Sequence, residues 1–146
     1  MPRFFTLTQV RDVLPRVNRL VQQGIESKNQ YQSAEQWTDQ FLRRVIMQGG
    51  ILADRGPFIR NRDAQQRSGA RLKSSIEDLQ NMGVLVKDLD TGLVDFPTLL
   101  RGDEVYVCWQ LGEDDVTFWH GVNEGFGGRK AIDQDFVENH RGRDLD

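Results

Sequence analysis

One cysteine and two histidines are the only thiol and imidazole groups among 146 residues. A lone cysteine excludes an internal disulfide framework and any cluster of thiolates around zinc. Two histidines leave little for a His-rich metal centre, so the sequence alone indicates no metal and no cofactor. No run approaches the ~20 apolar residues that a membrane span needs. The first residues, Met1-Pro2-Arg3-Phe4-Phe5-Thr6, lack the apolar stretch of a signal peptide. With a single thiol to keep reduced, these absences lead to the expectation of a cytoplasmic protein without a membrane role.

What is present suits a globular chain. Apolar residues make up 38% and charged residues 28%, a balance that can build one core. Net charge is −3 but unevenly spread. Residues 1–86 hold 13 Lys/Arg against 8 Asp/Glu, and residues 87–146 hold 6 against 14. The acidic total argues against nonspecific nucleic-acid binding, although a local basic stripe remains.

Helical spacing dominates the first half. Thr6-Leu7-Thr8-Gln9 matches a capping box, with Phe5 and Val10 placed for the hydrophobic staple. Leu7, Val10, Val13, Leu14, Val17, Leu20, Val21 and Ile25 then recur on one face. Pro15 lies inside this stripe and predicts a kink. Gln22 to Gln40 is polar, and Phe41, Leu42, Val45 and Ile46 restore the stripe before Gly49-Gly50. One helix over residues 7–48 would be roughly 63 Å long. A compact domain of this size has a radius of gyration of only ~15 Å. Either the helix breaks near Gly24–Ser33, or it projects and needs a partner. Pro57 opens a second stripe through Leu72, Ile76 and Leu79, closed by Gly83. The two read as a helical hairpin with Gly49–Gly56 at its tip.

After Gly83 the period changes to two. Val84–Lys87 and Leu93–Phe96 read as short strands, the second stopped by Pro97. Glu104–Leu111 alternates, with Val105, Val107, Trp109 and Leu111 on the expected core face. A four-residue loop at Gly112–Asp115 would pair Trp109 with Phe118, Val107 with His120 and Cys108 with Trp119. Residues 133–146 have few apolar anchors and read as a poorly ordered tail.

Chemistry concentrates after that last strand. His120 ends it just before the glycine-rich stretch Gly125, Gly127, Gly128, and Glu124, Arg129 and Lys130 stand beside it. Two readings stay open. His120, Glu124 and Arg129, with Asp95 or Glu113 if the sheet brings them in, would form a polar corner. There the N–H groups of Gly127 and Gly128 and the Arg129 guanidinium would hold a small anion. Alternatively, His120 completes the core face beside Val107, and Arg129 pairs with Glu113 or Glu124 to pin the loop. His120-x3-Glu124 has metal-ligand spacing only on a helix, which Gly121 and Gly125 oppose. Cys108, mid-strand, reads as a small core hydrophobe. The basic run from Arg55 to Lys73 reads as a solvated helix face.

The stretches Gly83-Val84, Val86-Lys87-Asp88 and Thr91-Gly92-Leu93-Val94-Asp95-Phe96-Pro97 carry a resemblance to a known family. Cys108-Trp109, Leu111-Gly112-Glu113, Trp119-His120, Gly125-Phe126 and Gly128-Arg129 extend it, and Phe5-Thr6-Leu7 and Leu14-Pro15 also fit. In these the chain resembles the bacterial family DUF2203. Asp54–Arg67 departs from the pattern. The resemblance implies a cytosolic bacterial protein with a long helical region and a small β unit, and it implies no activity.

The expected fold is therefore α+β: a helical hairpin over residues 1–83, an antiparallel β unit over 84–132, and the tail, within one domain. The leading functional reading is a non-catalytic binding or scaffold module with a protein partner. A second helix of roughly 25 residues spans only ~37 Å. It would leave Tyr31, Trp37 and Phe41 for a second copy to cover, making a homodimer. The runner-up is an enzyme or small-anion binder at His120, Glu124 and Arg129. The third is nucleic-acid binding through residues 55–73.

Overall fold

The computed structural model describes residues 3–50 and 54–143. Part of the expected hairpin tip and the last three residues of the expected tail lie outside them. Helix α1 spans Leu7–Met47 and α2 spans Gly56–Asn81. Strands β1 (Leu85–Asp88), β2 (Leu93–Leu100), β3 (Asp103–Gln110) and β4 (Phe118–Gly121) follow. A 3₁₀ turn at Phe126–Gly128, β5 (Lys130–Ala131), α3 (Gln134–Asn139) and β6 (His140–Arg141) complete the order. The residues cluster into two compact units whose boundaries fall inside α1 and α2. One comprises residues up to Gln22 and from Ile76 onward; the other is Gln23–Ser75.

Helix α1 begins as the capping box requires. The Gln9 amide N–H donates to Thr6 Oγ1 at 3.1 Å, and the Thr6 N–H donates to Gln9 Oε1 at 2.9 Å. The helix runs without interruption through Pro15 and through Gly24–Ser33, so the break considered there does not occur.

Within Gln23–Ser75 the two helices form an antiparallel hairpin. Arg71 Nη2 donates to Gln30 Oε1, and Asn61 Nδ2 donates to the Ala34 carbonyl and Thr38 Oγ1. Phe41 faces Phe58 at 6.2 Å. The polar-looking seam works because its buried members are small. Ser27 and Ala34 on α1 and Ser68 and Ser75 on α2 let the backbones approach. The Cβ position of Gly69 lies 3.3 Å from the Tyr31 ring. Tyr31 and Phe41 are thus half-buried against α2, and Trp37, stacked on Phe41, is half-buried too, so none is left bare. Beyond them Leu42, Ile46, Met47 and Ile59 stand exposed.

In the other unit the sheet order is β1-β2-β3-β4-β5, all antiparallel, with β6 on the same edge of β2 as β1. Pro97 does not end β2, contrary to expectation. In an antiparallel ladder a residue's N–H and C=O point to the same side. The Pro97 carbonyl accepts from the Phe5 N–H at 2.7 Å, in the gap between the β1 and β6 pairings. The missing N–H faces that gap, so no β3 partner is lost.

One face of the sheet carries Val94, Phe96, Val105, Val107 and Trp109, all buried. The start of the chain covers it: Phe5 meets Phe96 edge-on at 5.4 Å, and Leu14 and Asn18 border Trp109. Gly92 is fixed here by space, since a Cβ would lie 2.5 Å from that of Leu111 at a φ of +71°.

Two expectations are corrected. Cys108 pairs with Phe118, Val107 with Trp119 and Tyr106 with His120, one residue away from the predicted β3–β4 register. The connection is longer than four residues, running from Leu111 to Thr117. Trp109 Nε1 donates to the Glu113 carbonyl and the Asp115 carboxylate accepts from the Val116 N–H, which folds the extra residues into the turn. A slip of one moves every side chain of β4 to the opposite face.

The tail is also structured through Arg143. Asp133 caps α3 by accepting from the Phe136 N–H, and Phe136 is buried against Trp119 and His140. His140 Nδ1 faces the helix carbonyls of Phe136 and Val137, and its Nε2 accepts from the Leu7 N–H at 3.0 Å. One apolar anchor and one imidazole tie this segment to the start of α1.

Trp109→Ala is expected to cost about 3–5 kcal/mol in denaturant unfolding, as for a core tryptophan. Gln110→Ala, on the opposite face and half-buried, is expected to cost under about 1 kcal/mol.

Candidate functional site

The β3–β4 register decides where His120 goes. It shares a face with Tyr106, and Asp95 on β2 lies directly opposite Cys108 on β3. Three strands thereby bring Asp95, Cys108 and His120 together on the face away from Trp109. His120 is not beside Val107, where alternation and a short loop would place it.

His120 Nε2 lies 3.0 and 3.1 Å from the two oxygens of Asp95, and Nδ1 lies 2.8 Å from the Gly121 carbonyl. Both side chains are almost fully buried, at 5% and 2% exposure. A carbonyl only accepts, so Nδ1 carries a proton, and a second proton sits between Nε2 and the Asp95 carboxylate. No ring nitrogen is left over. The Tyr106 ring stands edge-on to the imidazole at 5.6 Å. Burial pushes the Tyr106 phenol upward, with Glu104 and Asp95 adding to it, so it remains a phenol at neutral pH. Burial, reinforced by the Asp95 charge, pushes the Cys108 thiol up to about 11. Cys108 is not a ready nucleophile, as its mid-strand position suggested.

Arg129 takes the second of its two proposed roles. Its Nη2 donates to Glu113 Oε1 at 2.7 Å and lies 3.4 Å from the Cys108 carbonyl. The guanidinium is sandwiched between the rings of Phe118 at 4.3 Å and Phe126 at 4.6 Å. Burial works against its charge, but the Glu113 hydrogen bond and the neighbouring Cys108 outweigh it and hold its pKa above the ordinary arginine value. Glu113 Oε1 also accepts from the Gln110 N–H, so the pair ties the β3–β4 turn to the glycine loop.

The loop is filled from within. Glu124 Oε1 accepts from the Gly121 N–H and pairs with Lys130 Nζ. The Lys130 hydrogen bond first, then the Gly121 N–H, lowers the Glu124 pKa. A Cβ on Gly128 would lie 2.7 Å from that of Glu124, which is why glycine stands there. The Gly128 N–H is used by the Gly125 carbonyl, and Gly127 contacts nothing near its Cβ position. Glu124 thus packs its side chain beside Gly121 and Gly128 and its charge against Lys130.

A different opening is present. A cleft of about 220 Å³ is lined by Lys87, Leu93, Asp95, Tyr106, His120, Val122, Glu124, Gly125 and Phe126. It brings His120 and Glu124 together, as the sequence suggested, but without Arg129, Gly127 or Gly128. Lys87 is the residue that sequence reasoning missed. Its ammonium lies 5.0 Å from the centre of the Tyr106 ring and has no carboxylate partner among the described residues. The β1–β2 register shifts between Val86 and Asp88, so simple alternation could not assign Lys87 a face. A wider depression of about 510 Å³ lies beside Pro15, Trp109 and Asp115, where Arg11 and Asp115 already pair with each other.

No curated protein and no solved structure matches the chain. A family profile described as "Uncharacterized conserved protein (DUF2203)" matches residues 3–132. That span covers all of α1 and α2 and strands β1 to β5, including every residue of the cluster and cleft. The chain belongs to the DUF2203 family of uncharacterized conserved proteins.

Proposed function

We propose that the protein is a non-catalytic binding module whose cleft over Asp95 and His120 takes a small carboxylate with an apolar body. The observation that carries this is the charge left in the cleft once its own pairs are formed. Asp95 is met by His120 and Glu124 by Lys130, which leaves the Lys87 ammonium without an ion-pair partner among the described residues. Leu93, Val122 and Phe126 offer apolar surface beside it. The volume is below the ~300–1,000 Å³ of drug-sized pockets, so the ligand has few heavy atoms. The reading is binding rather than turnover because both His120 nitrogens are engaged. A general acid or base needs a free nitrogen within reach of the substrate proton.

Calorimetric titration with benzoate, and with inorganic phosphate as the purely polar comparison, tests this. Saturable heat with benzoate, at least about tenfold weaker affinity in Lys87→Ala and little binding of phosphate are expected; tenfold corresponds to ~1.4 kcal/mol. Absence of heat in the wild type, or an affinity unchanged in Lys87→Ala, overturns the reading.

A second role, self-association through the hairpin, is favoured by its outer end. Ile46 is 72% exposed, Met47 87% and Ile59 52%, an unusual concentration of apolar surface on a polar hairpin. Light scattering at micromolar concentration is expected to give a dimer mass that falls toward the monomer in Ile46→Glu. A monomer mass in the wild type rejects it.

A further inference from the structure

The Asp95–Cys108–His120 cluster has a composition that a plain core does not require. A carboxylate, a thiol and an imidazole come from three neighbouring strands, all buried, with one donor atom of each within 4.8 Å of the others. We propose that these three side chains bind a divalent metal ion of the zinc class. Two of the ligands, Asp95 and His120, border the cleft. This goes beyond the carboxylate-binding reading and does not depend on it.

Geometry comes first. Tetrahedral zinc with bonds of about 2.0–2.3 Å spaces its ligand atoms roughly 3.3–3.8 Å apart. The Nε2–carboxylate distances of 3.0 and 3.1 Å fall slightly short of that range, and the three donor atoms all lie within 4.8 Å of one another, so an ion would draw the set to a common spacing.

The surroundings of the imidazole fit as well. A metal-bound histidine donates its other ring N–H to a carbonyl or carboxylate, which fixes the ring and its tautomer. The Gly121 carbonyl does this at Nδ1, leaving Nε2 directed at Asp95. Arg129, whose Nη2 is near the Cys108 carbonyl, favours negative charge on the sulfur.

Charge balances on exchange. The metal-free cluster has one proton on the thiol and one between Nε2 and Asp95, and its net charge is zero. When a divalent ion enters, those two protons leave to solvent. Thiolate, carboxylate, neutral imidazole and the ion again sum to zero. The buried site therefore never holds a net charge, the condition under which a low-dielectric interior accepts an ion.

The full-length protein, freed of metal with a chelator and checked for folding by circular dichroism, is titrated with Co(II). The chain has a single cysteine, so a thiolate-to-cobalt charge-transfer band reports Cys108 alone. One equivalent is expected to produce that band together with the strong visible absorption of a tetrahedral site, and Zn(II) is expected to displace both. The band is expected to vanish in Cys108→Ala and to persist in Lys87→Ala, which removes the cation of the cleft but no proposed ligand. No charge-transfer band in the folded wild type overturns the proposal, and so does one that survives in Cys108→Ala. Failure of the benzoate titration alone leaves these spectra unaffected, so the two readings fail separately.

Discussion

Burying an ionisable pair is the constraint on which the rest of the β unit depends. A carboxylate and an imidazole removed from water cost several kcal/mol each unless they find each other with good geometry. Asp95 and His120 do so only in one register of three strands. A slip of one residue would put His120 on the Trp109 face and leave Asp95 buried without a partner. Penalties of that size select one strand pairing sharply. The neighbouring features follow from it. Cys108 faces the pair, Tyr106 covers the imidazole, and the chain after Gly121 turns so that Arg129 reaches Glu113 across the β3–β4 turn.

The sequence showed the elements more clearly than the contacts between them. The capping box at Thr6–Gln9, the start of α2 at Gly56-Pro57 and the period-two strands are local signals, and the structure contains each of them. Register is different. Alternation fixes which residues share a face along one strand, but only the turn fixes how two strands align. The Leu111–Thr117 turn depends on a tryptophan N–H and an aspartate cap that spacing does not reveal. The Asp95–His120 pairing could not be read without that register. A proline predicts a strand end because it cannot donate to the ladder, but a donor at Pro97 would face the gap between the β1 and β6 pairings, so the strand continues through it. The helix after Asp133 was missed because a single residue, Phe136, supplies its apolar anchor. Lys87 was missed because a bulge removes it from the alternation.

The site accordingly changed character. The glycine loop, for which the sequence left an anion site and a pinned structural loop both open, packs against Glu124, and the arginine beside it lies between two aromatic rings and pairs with a glutamate. At the cleft lined by the buried pair, the cation that lies over the Tyr106 ring is Lys87. A fixed imidazole with both nitrogens engaged serves holding better than proton transfer. The same features, an anchored ring and an adjacent thiol and carboxylate, are those a metal ion uses.

The state of the His120 ring tests the account most directly. Nitrogen-15 NMR of the chelator-treated protein, with His140→Gln used to assign the two histidines, reads the protonation and exchange of each ring nitrogen. The account predicts that His120 Nδ1 carries a proton protected from solvent by the Gly121 carbonyl, coupled to a second proton shared with Asp95. A His120 ring whose nitrogens exchange freely with water, or whose Nδ1 carries no proton, would contradict it.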